Sequence, residues 1–507
     1  MIDRPKPRVL VFIVAYNAEK TIDSVVSRIP RELEDLYQLD ILIIDDASPD
    51  TTFLRSHHLS RSDAPHFPIH ALFNPVNQGY GGNQKLGYRY AIQHGYDFVA
   101  LLHGDGQYAP ECLPQLLEPL AKGEAAAVFG SRMLTRGAAR KGGMPLYKFA
   151  GNKILTWIEN RILRSNLSEF HSGYRLYSVR ALEAIPFDRN SNDFHFDTEI
   201  IIQLLTARRK IVELPIPTFY GDEICHVNGV KYAANVVLSA IKARLQSWSI
   251  FYDRRYDCAP ADPESLYPAK TGYTSSHTMA LERVRDRAQV LDLGCGPGYI
   301  ASLLRRRQCR VTGVDVAVPL PDHVDEFRFH NLNQGAPYVP ANGYDTVLLL
   351  DVLDQLDRPE LFLEQMRHAL ALSPSTEVIL SVANVGFIVT RLMLVFGQFN
   401  YSKRGVLDLG HTRLFTFGSL RRTLEQAGFE ILESKGVPAP IPLALGNTAA
   451  ARILLRINQM LIRISKGLFA YQVFLRAKAR PSLESLLNLA EEQSGIRSAA
   501  IEKVRTS

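Results

Sequence analysis

Leu39-Asp40-Ile41-Leu42-Ile43-Ile44-Asp45-Asp46, followed by Ala47-Ser48-Pro49-Asp50-Thr51-Thr52, is an aliphatic run that stops on two carboxylates and a turn. Such a run reads as a buried strand of a parallel sheet. Ligands meet parallel sheets at the carboxyl ends of the strands, which is where Asp45 and Asp46 stand. Alone, this stretch is equally well a turn and helix cap. A second strand, Asp97 to Asp105, breaks the tie by ending in Leu102-His103-Gly104-Asp105-Gly106-Gln107. Its oxygen donors suit a Mg2+ or Mn2+ ion bridging a diphosphate. Val9 to Tyr16 and Ala125 to Arg132 read as further strands, alternating with helical stretches such as Glu19 to Ser27 and Gln84 to Gln93. The alternation predicts an α/β domain with a mostly parallel sheet.

The whole chain has 507 residues, room for two to four domains at roughly 100–200 residues each. With 46% hydrophobic and 22% charged residues it lacks the signature of disorder. A net charge of +6 spread over this length argues against nucleic-acid binding and suits anionic substrates or a membrane surface. The five cysteines (Cys112, Cys225, Cys258, Cys295, Cys309) form no CxxC pair and imply a reducing compartment without a structural metal. The amino terminus offers no small-residue cleavage site, and no run of about 18 apolar residues occurs, so a cytoplasmic location is expected. Tyr252 to Thr274, with three prolines, reads as a linker. The expected organisation is residues 1–250 as a first α/β domain, 251–274 as linker, 275–435 as a second α/β domain and 436–507 as a basic helical segment.

Further motifs decide what the first domain resembles. VAYNAEKTI (Val14 to Ile22), IIDDASPDTT (Ile43 to Thr52), NQGYGGNQKLGYRYA (Asn77 to Ala91), HGDGQYAPE (His103 to Glu111), GSR (Gly130 to Arg132), HSGYRLYS (His171 to Ser178) and FDTEI (Phe196 to Ile200) occur in that order. The set resembles the family 2 glycosyltransferases of GT-A type, in the branch like dolichyl-phosphate mannose synthases, over roughly residues 8–244. The resemblance implies that Tyr16, Asp45 and Asp46 contact the nucleotide of a nucleotide sugar. Asp105, Gln107 and His103 would hold the metal, although His103 stands where the family usually has Asp. Loss of that carboxylate should weaken a hard cation's site. A hydroxyl acceptor needs a general base, for which Asp197 or Glu199 is the candidate. A phosphate acceptor needs cationic clamps instead, and Arg132 and Arg175 match the family's phosphate-binding arginines.

Val290 to Leu304, VLDLGCGPGYIASLL, is a strand, a glycine turn and a helix. As a bare glycine pattern it could hold a dinucleotide. Its context resembles the class I S-adenosylmethionine-dependent methyltransferases, a Rossmann-like fold, through Tyr344 to Leu363 and Gly410 to Phe429. The resemblance implies a cofactor site of Asp292, Gly294, Gly296, Gly298, Asp315, Asn331 and Asp351, with Asp315 on the ribose hydroxyls. The family's acid and histidine after the fourth strand are here Asp354 and Gln355, and His411 is a further polar candidate.

Ala449 to Pro481 mixes aliphatic residues with cations. It reads either as a basic amphipathic helix on the inner face of the plasma membrane or as helices packing back on the second domain, because Ile453, Leu454, Ile457, Leu461 and Ile464 make one apolar face without saying what covers it. Together these readings predict a bifunctional enzyme of cell-surface glycan or glycolipid assembly. It would move sugar from a nucleotide sugar to a polyprenyl phosphate or glycan acceptor and methyl from S-adenosylmethionine. Two rivals stay open: transfer to a glycan hydroxyl only, and a degenerate first domain acting as scaffold for the methyltransferase.

Overall fold

The computed structural model describes residues 5–62, 66–218, 228–248, 251–258, 270–370, 373, 375–446, 448–481, 486–487 and 494. Two compact units divide at Pro260/Ala261.

The first unit is built on β1 (Arg8–Ala15), β2 (Gln38–Asp45), β3 (Ile69–Phe73), β4 (Phe98–His103), β5 (Ala127–Ser131), β6 (Arg175–Ser178) and β7 (Ile211–Pro215). Their order is β3-β2-β1-β4-β6-β5-β7, with β6 antiparallel to both its neighbours. Strand β1 shows why the sheet is sandwiched. Val9, Val11 and Ile13 enter one core and Leu10 and Phe12 the other, as the two-residue period of a strand requires. Helices α1 (Tyr80–Gln93), α2 (Leu146–Leu163), α3 (Phe196–Thr206) and α4 (Gly229–Ser247) surround it. Gly87 lets α1 lie close to the sheet, since a Cβ there would stand 2.1 Å from the Phe12 ring.

The second unit carries β8 (Gln289–Leu293), β9 (Arg310–Asp315), β10 (Glu326–Phe329), β11 (Thr346–Leu350), β12 (Glu377–Ala383), β13 (Phe429–Val437) and β14 (Gln472–Ala479) in the order β10-β9-β8-β11-β12-β14-β13. Helices α5 (Ser276–Arg283), α6 (Tyr299–Arg305) and α7 (Ala449–Ile464) belong to it.

Two expected boundaries are corrected. The basic stretch after residue 435 is not simply helical, because β14 lies antiparallel between β12 and β13 inside the second sheet. Val473, Leu475 and Ala477 point into one core and Phe474 into the other, while the cation of Arg476 is paired across the sheet with Glu377 at 2.9 Å. The expected linker is also shorter: Tyr256 and Cys258 are buried in the first unit, and Lys270 is anchored in the second by an ion pair to Asp351 at 2.8 Å. Residues 259–269 and Cys225 lie outside the described residues; the other four cysteines are buried.

Candidate active sites

Register brings the first site together. Ala15 pairs with Asp45, and Val14 with His103, so three strand ends lie level. The loops beyond them carry two left-handed non-glycine residues, Asn17 (φ 55°) and Ala47 (φ 59°). Each costs of order 1 kcal/mol or more and must be held by its surroundings. The Asn17 amide donates to Ser48 Oγ at 3.0 Å and the Ala18 amide to Thr52 Oγ1 at 2.8 Å, which locks the two loops together.

Asp45 and Asp46 have different fates. Asp45 Oδ1 accepts the Ser48 amide, whereas its Oδ2 is buried without a partner, and burial raises the carboxyl pKa. An unpartnered buried acceptor calls for a donor such as a nucleobase N–H. Asp46 is spent within the protein: Oδ1 accepts from Asn74 Nδ2 (2.7 Å) and the Gln78 amide (2.8 Å), and Oδ2 from the Gly79 amide (3.0 Å). It shapes the glycine loop that opens α1, in place of the expected nucleotide contact. Tyr16 stands half-exposed after β1, available for stacking on a base.

Of the three expected metal ligands, only Asp105 has the character required. Its exposed carboxylate accepts the Gln107 amide at 3.0 Å. The His103 ring is half-buried between Tyr80 and Tyr108, its Nε2 3.4 Å from the Tyr80 hydroxyl, and desolvation lowers its pKa. Among the described residues no cluster of three His, Cys, Asp or Glu could cage an ion. The donor set therefore fits a Mg2+ or Mn2+ carried mainly by the diphosphate and steadied by one carboxylate.

On the other side of β4, the expected acid, base and clamp residues form a buried ionic core. Asp197 accepts from Tyr80 Oη (3.0 Å) and Gln84 Nε2 (3.3 Å) and lies 3.5 Å from the Arg175 guanidinium. Arg175, 1% exposed, donates to the carbonyls of Phe170, Ser172 and Asp197. It is enclosed by protein and does not reach out as a phosphate clamp. Glu199, fully buried, pairs with Arg255 and accepts the Ser191 amide at 2.6 Å, so it too is structural and not a base. Replacing Arg175 with alanine strands the Asp197 charge, and we expect a loss of about 3–5 kcal/mol of stability, read by denaturant unfolding. Arg132 differs. It ends β5 and is gripped by Glu169, a buried acid that sequence reading missed, and its Nη2 donates to the His171 carbonyl at 3.0 Å. Burial would raise the Glu169 pKa, yet Arg132 holds it below the ordinary value. No local motif marks Glu169, because its partner is remote in sequence.

In the second unit, Gly294, Gly296 and Gly298 all adopt positive φ (73°, 50° and 80°). A Cβ at Gly294 would stand 2.4 Å from Val352, whereas at Gly296 it would meet nothing within 4 Å and would project into open space beside the loop. That opening is the room a cofactor needs, and the residues fit S-adenosylmethionine. Asp315 ends β9 and accepts the Gly296 amide at 2.8 Å, joining the end of β9 to the glycine loop. Asn331 accepts the Asn333 amide at 3.0 Å. Asp351 departs from its expected cofactor role: at φ 59° it binds Lys270 Nζ (2.8 Å), Ser381 Oγ (2.6 Å) and Gln472 Nε2 (2.7 Å). Burial opposes its ionisation, but Lys270 holds its pKa well below the carboxylate range. Lys270 was invisible as a site residue because it sits in the proline-bearing stretch. His411 Nε2 lies 3.4 Å from Asp354, whose carboxyl burial pushes up to about 6 while His411 opposes the shift.

Burial, aided by the Asp315 carboxylate, pushes Asp292 up to about 7. Unfolded, the same group titrates near 4. The folded unit thus binds this proton more tightly, so the contribution of Asp292 to stability is largest below about pH 4 and is lost as pH rises through about 7. Asp292→Asn should raise the melting temperature of the cofactor-free protein by several degrees at pH 8 and by little at pH 4.

An open, mostly parallel sheet with carboxylates at its strand ends, followed by a sheet with a glycine loop and an acid closing the next strand, fits a transferase of two units. Residues 10–185 match glycosyl transferase family 2, and residues 270–434 match a methyltransferase domain. Undecaprenyl-phosphate mannosyltransferase of Micrococcus luteus is 31% identical over 222 residues, 43% of this chain and 85% of the relative. Polyprenol monophosphomannose synthase of Mycolicibacterium smegmatis is 26% identical over 248 residues, 49% and 89% respectively. Glucosyl-3-phosphoglycerate synthase from Mycobacterium tuberculosis superposes with a TM-score of 0.35 at 17% identity, covering 47% of this chain and 80% of that one. The chain belongs to the family 2 glycosyltransferases and carries a methyltransferase domain in the same polypeptide.

Proposed function

We propose that the first unit transfers a sugar from a nucleotide sugar to a polyprenyl phosphate, and that the second methylates a product of the same glycan or glycolipid assembly with S-adenosylmethionine. The observation that carries the acceptor is the double character of helices α2 and α4. Outward they expose Tyr147, Ile154 and Trp157 (68% exposed) on α2 and Val230 (84% exposed), Leu238 and Ile241 on α4, with Lys153, Arg161 and Lys231 also exposed. Exposed Trp and Tyr among cations suit the interface of a bilayer. Inward, Asn152 of α2 donates to Glu169 at 2.8 Å, and Tyr232 of α4 meets His171 Nδ1 at 2.9 Å. The helices with the lipid-suited outer face thus also support the residues around Arg132. Both relatives named above are described as acting on polyprenyl phosphates or polyprenols, which agrees with this reading.

In the reaction proposed, the acceptor phosphate oxygen attacks the anomeric carbon as the bond to the nucleoside diphosphate breaks, and an anionic acceptor needs no base. Asp45 would orient the nucleobase and Asp105 would steady the metal that neutralises the leaving diphosphate. In the second unit, Gly296 and Asp315 would seat the methyl donor.

The test is mass spectrometry of products from a panel of nucleotide sugars, with and without polyprenyl phosphate. Ile154→Asp with Trp157→Asp should lower transfer to long-chain polyprenyl phosphate in vesicles at least tenfold and spare a short, water-soluble prenyl phosphate. Product formed equally well on a glycan hydroxyl without any polyprenyl phosphate overturns the acceptor.

A further inference from the structure

Helix α7 turns its surplus apolar side outward. Ala451 and Leu455 are buried, Asn458 accepts the Ala439 amide (2.9 Å) and donates to the Phe469 carbonyl (3.0 Å), and Ile462 packs at Gly436. These four fasten the helix to its unit. Ile453, Leu454, Ile457, Met460 and Ile464 are all exposed, Ile464 to 73%. At 3.6 residues per turn, these five fall within about 120° of arc, centred about 130° from the fastened side. Arg452, Arg456 and Arg463, also exposed, fall together on one flank of that stripe. From Ser434 to Leu483 the sequence contains no Asp or Glu.

An apolar stripe of this size covered by nothing among the described residues of its own unit is costly in water. The arginine flank names the cover. Arginines beside an apolar stripe keep their stems in the apolar layer and their guanidinium groups at lipid phosphates, and a carboxylate-free stretch is complementary to an anionic leaflet. We infer that α7 is a bilayer-docking helix of the methyltransferase unit, lying in the interface of a membrane with anionic headgroups, independently of the outer face of α2 and α4. The inference goes beyond the acceptor proposed above. It gives the second unit its own hold on the surface where a lipid-linked methyl acceptor would reside.

The test uses the full chain sedimented with vesicles of phosphatidylcholine, alone or with phosphatidylglycerol. Ile457→Asp with Met460→Asp should weaken binding at least tenfold. Arg452→Gln, Arg456→Gln and Arg463→Gln together should weaken binding to the phosphatidylglycerol vesicles by roughly a hundredfold and leave S-adenosylmethionine binding intact, which shows that the fold survives. Ile154→Asp with Trp157→Asp probes the other face, so loss there with unchanged binding of the α7 variants overturns this inference while upholding the first. Unchanged binding in the Ile154/Trp157 variant with loss in the α7 variants does the reverse. A concentration-dependent dimer without lipid that the Ile457/Met460 variant dissolves assigns the stripe to a second copy and also overturns the bilayer.

Discussion

Asp105→Ala abolishes glycosyl transfer and leaves the protein folded. Asp105 lies on the exposed turn after β4, and its recorded contact is with the Gln107 amide, so little stability is at stake. On the proposed reading its chemical weight would be large, because His103, half-buried between two tyrosines, stands where the resembled family usually has Asp. One carboxylate would then do what two usually share. Losing it should cost on the order of a thousandfold in rate, about 4 kcal/mol in the transition state. Product formation with saturating Mn2+, beside thermal unfolding of the same variant, measures both halves. Full activity in the variant, or in excess chelator, shows that the first unit works without a metal or serves as a scaffold.

A polypeptide of residues 261–481 folds and binds S-adenosylmethionine, whereas one of residues 275–435 does neither. The shorter piece contains the whole glycine loop and Asp315, so motif content alone would favour it. It lacks β14, and without β14 strands β12 and β13 have no hydrogen-bond partner between them. Phe474, Val473, Leu475 and Ala477 leave both cores, each large side chain worth about 1.5–3 kcal/mol of burial. It also lacks Lys270 and Gln472, so half-buried Asp351 keeps Ser381 but loses its cation at a strained backbone position. Together these are comparable with the usual margin of about 5–15 kcal/mol. Circular dichroism and calorimetric titration with the cofactor decide the matter; tight binding by the 275–435 piece would show β14 to be dispensable.

Both α/β units were legible in the sequence because their evidence is local. Continuous apolar runs such as Val9 to Ile13, glycines that must adopt positive φ such as Gly294 and Gly298, and acids closing strands such as Asp45 and Asp315 declare themselves within a few residues. Sequence neighbours could not separate Asp45 from Asp46, since the Asn74 and Gly79 groups that occupy Asp46 come from a loop some thirty residues on. The same holds for Arg175 and Glu199, which look like catalytic residues in their motifs and prove to be ion-pair supports once Asp197 and Arg255 are brought beside them.

What the sequence determined by itself was therefore the kind of elements, their order, and the glycosyltransferase and methyltransferase characters of the two units. Only the tertiary structure decided which charges are spent inside the protein, where β14 inserts, and which side of α7 faces out. Those outcomes depend on pairings across long separations, such as Lys270 with Asp351 and Glu377 with Arg476, where burial makes an unmatched charge costly and so selects the partner. A pattern of residue types along the chain records that a charge or an apolar face exists; the packing that surrounds it determines what it meets.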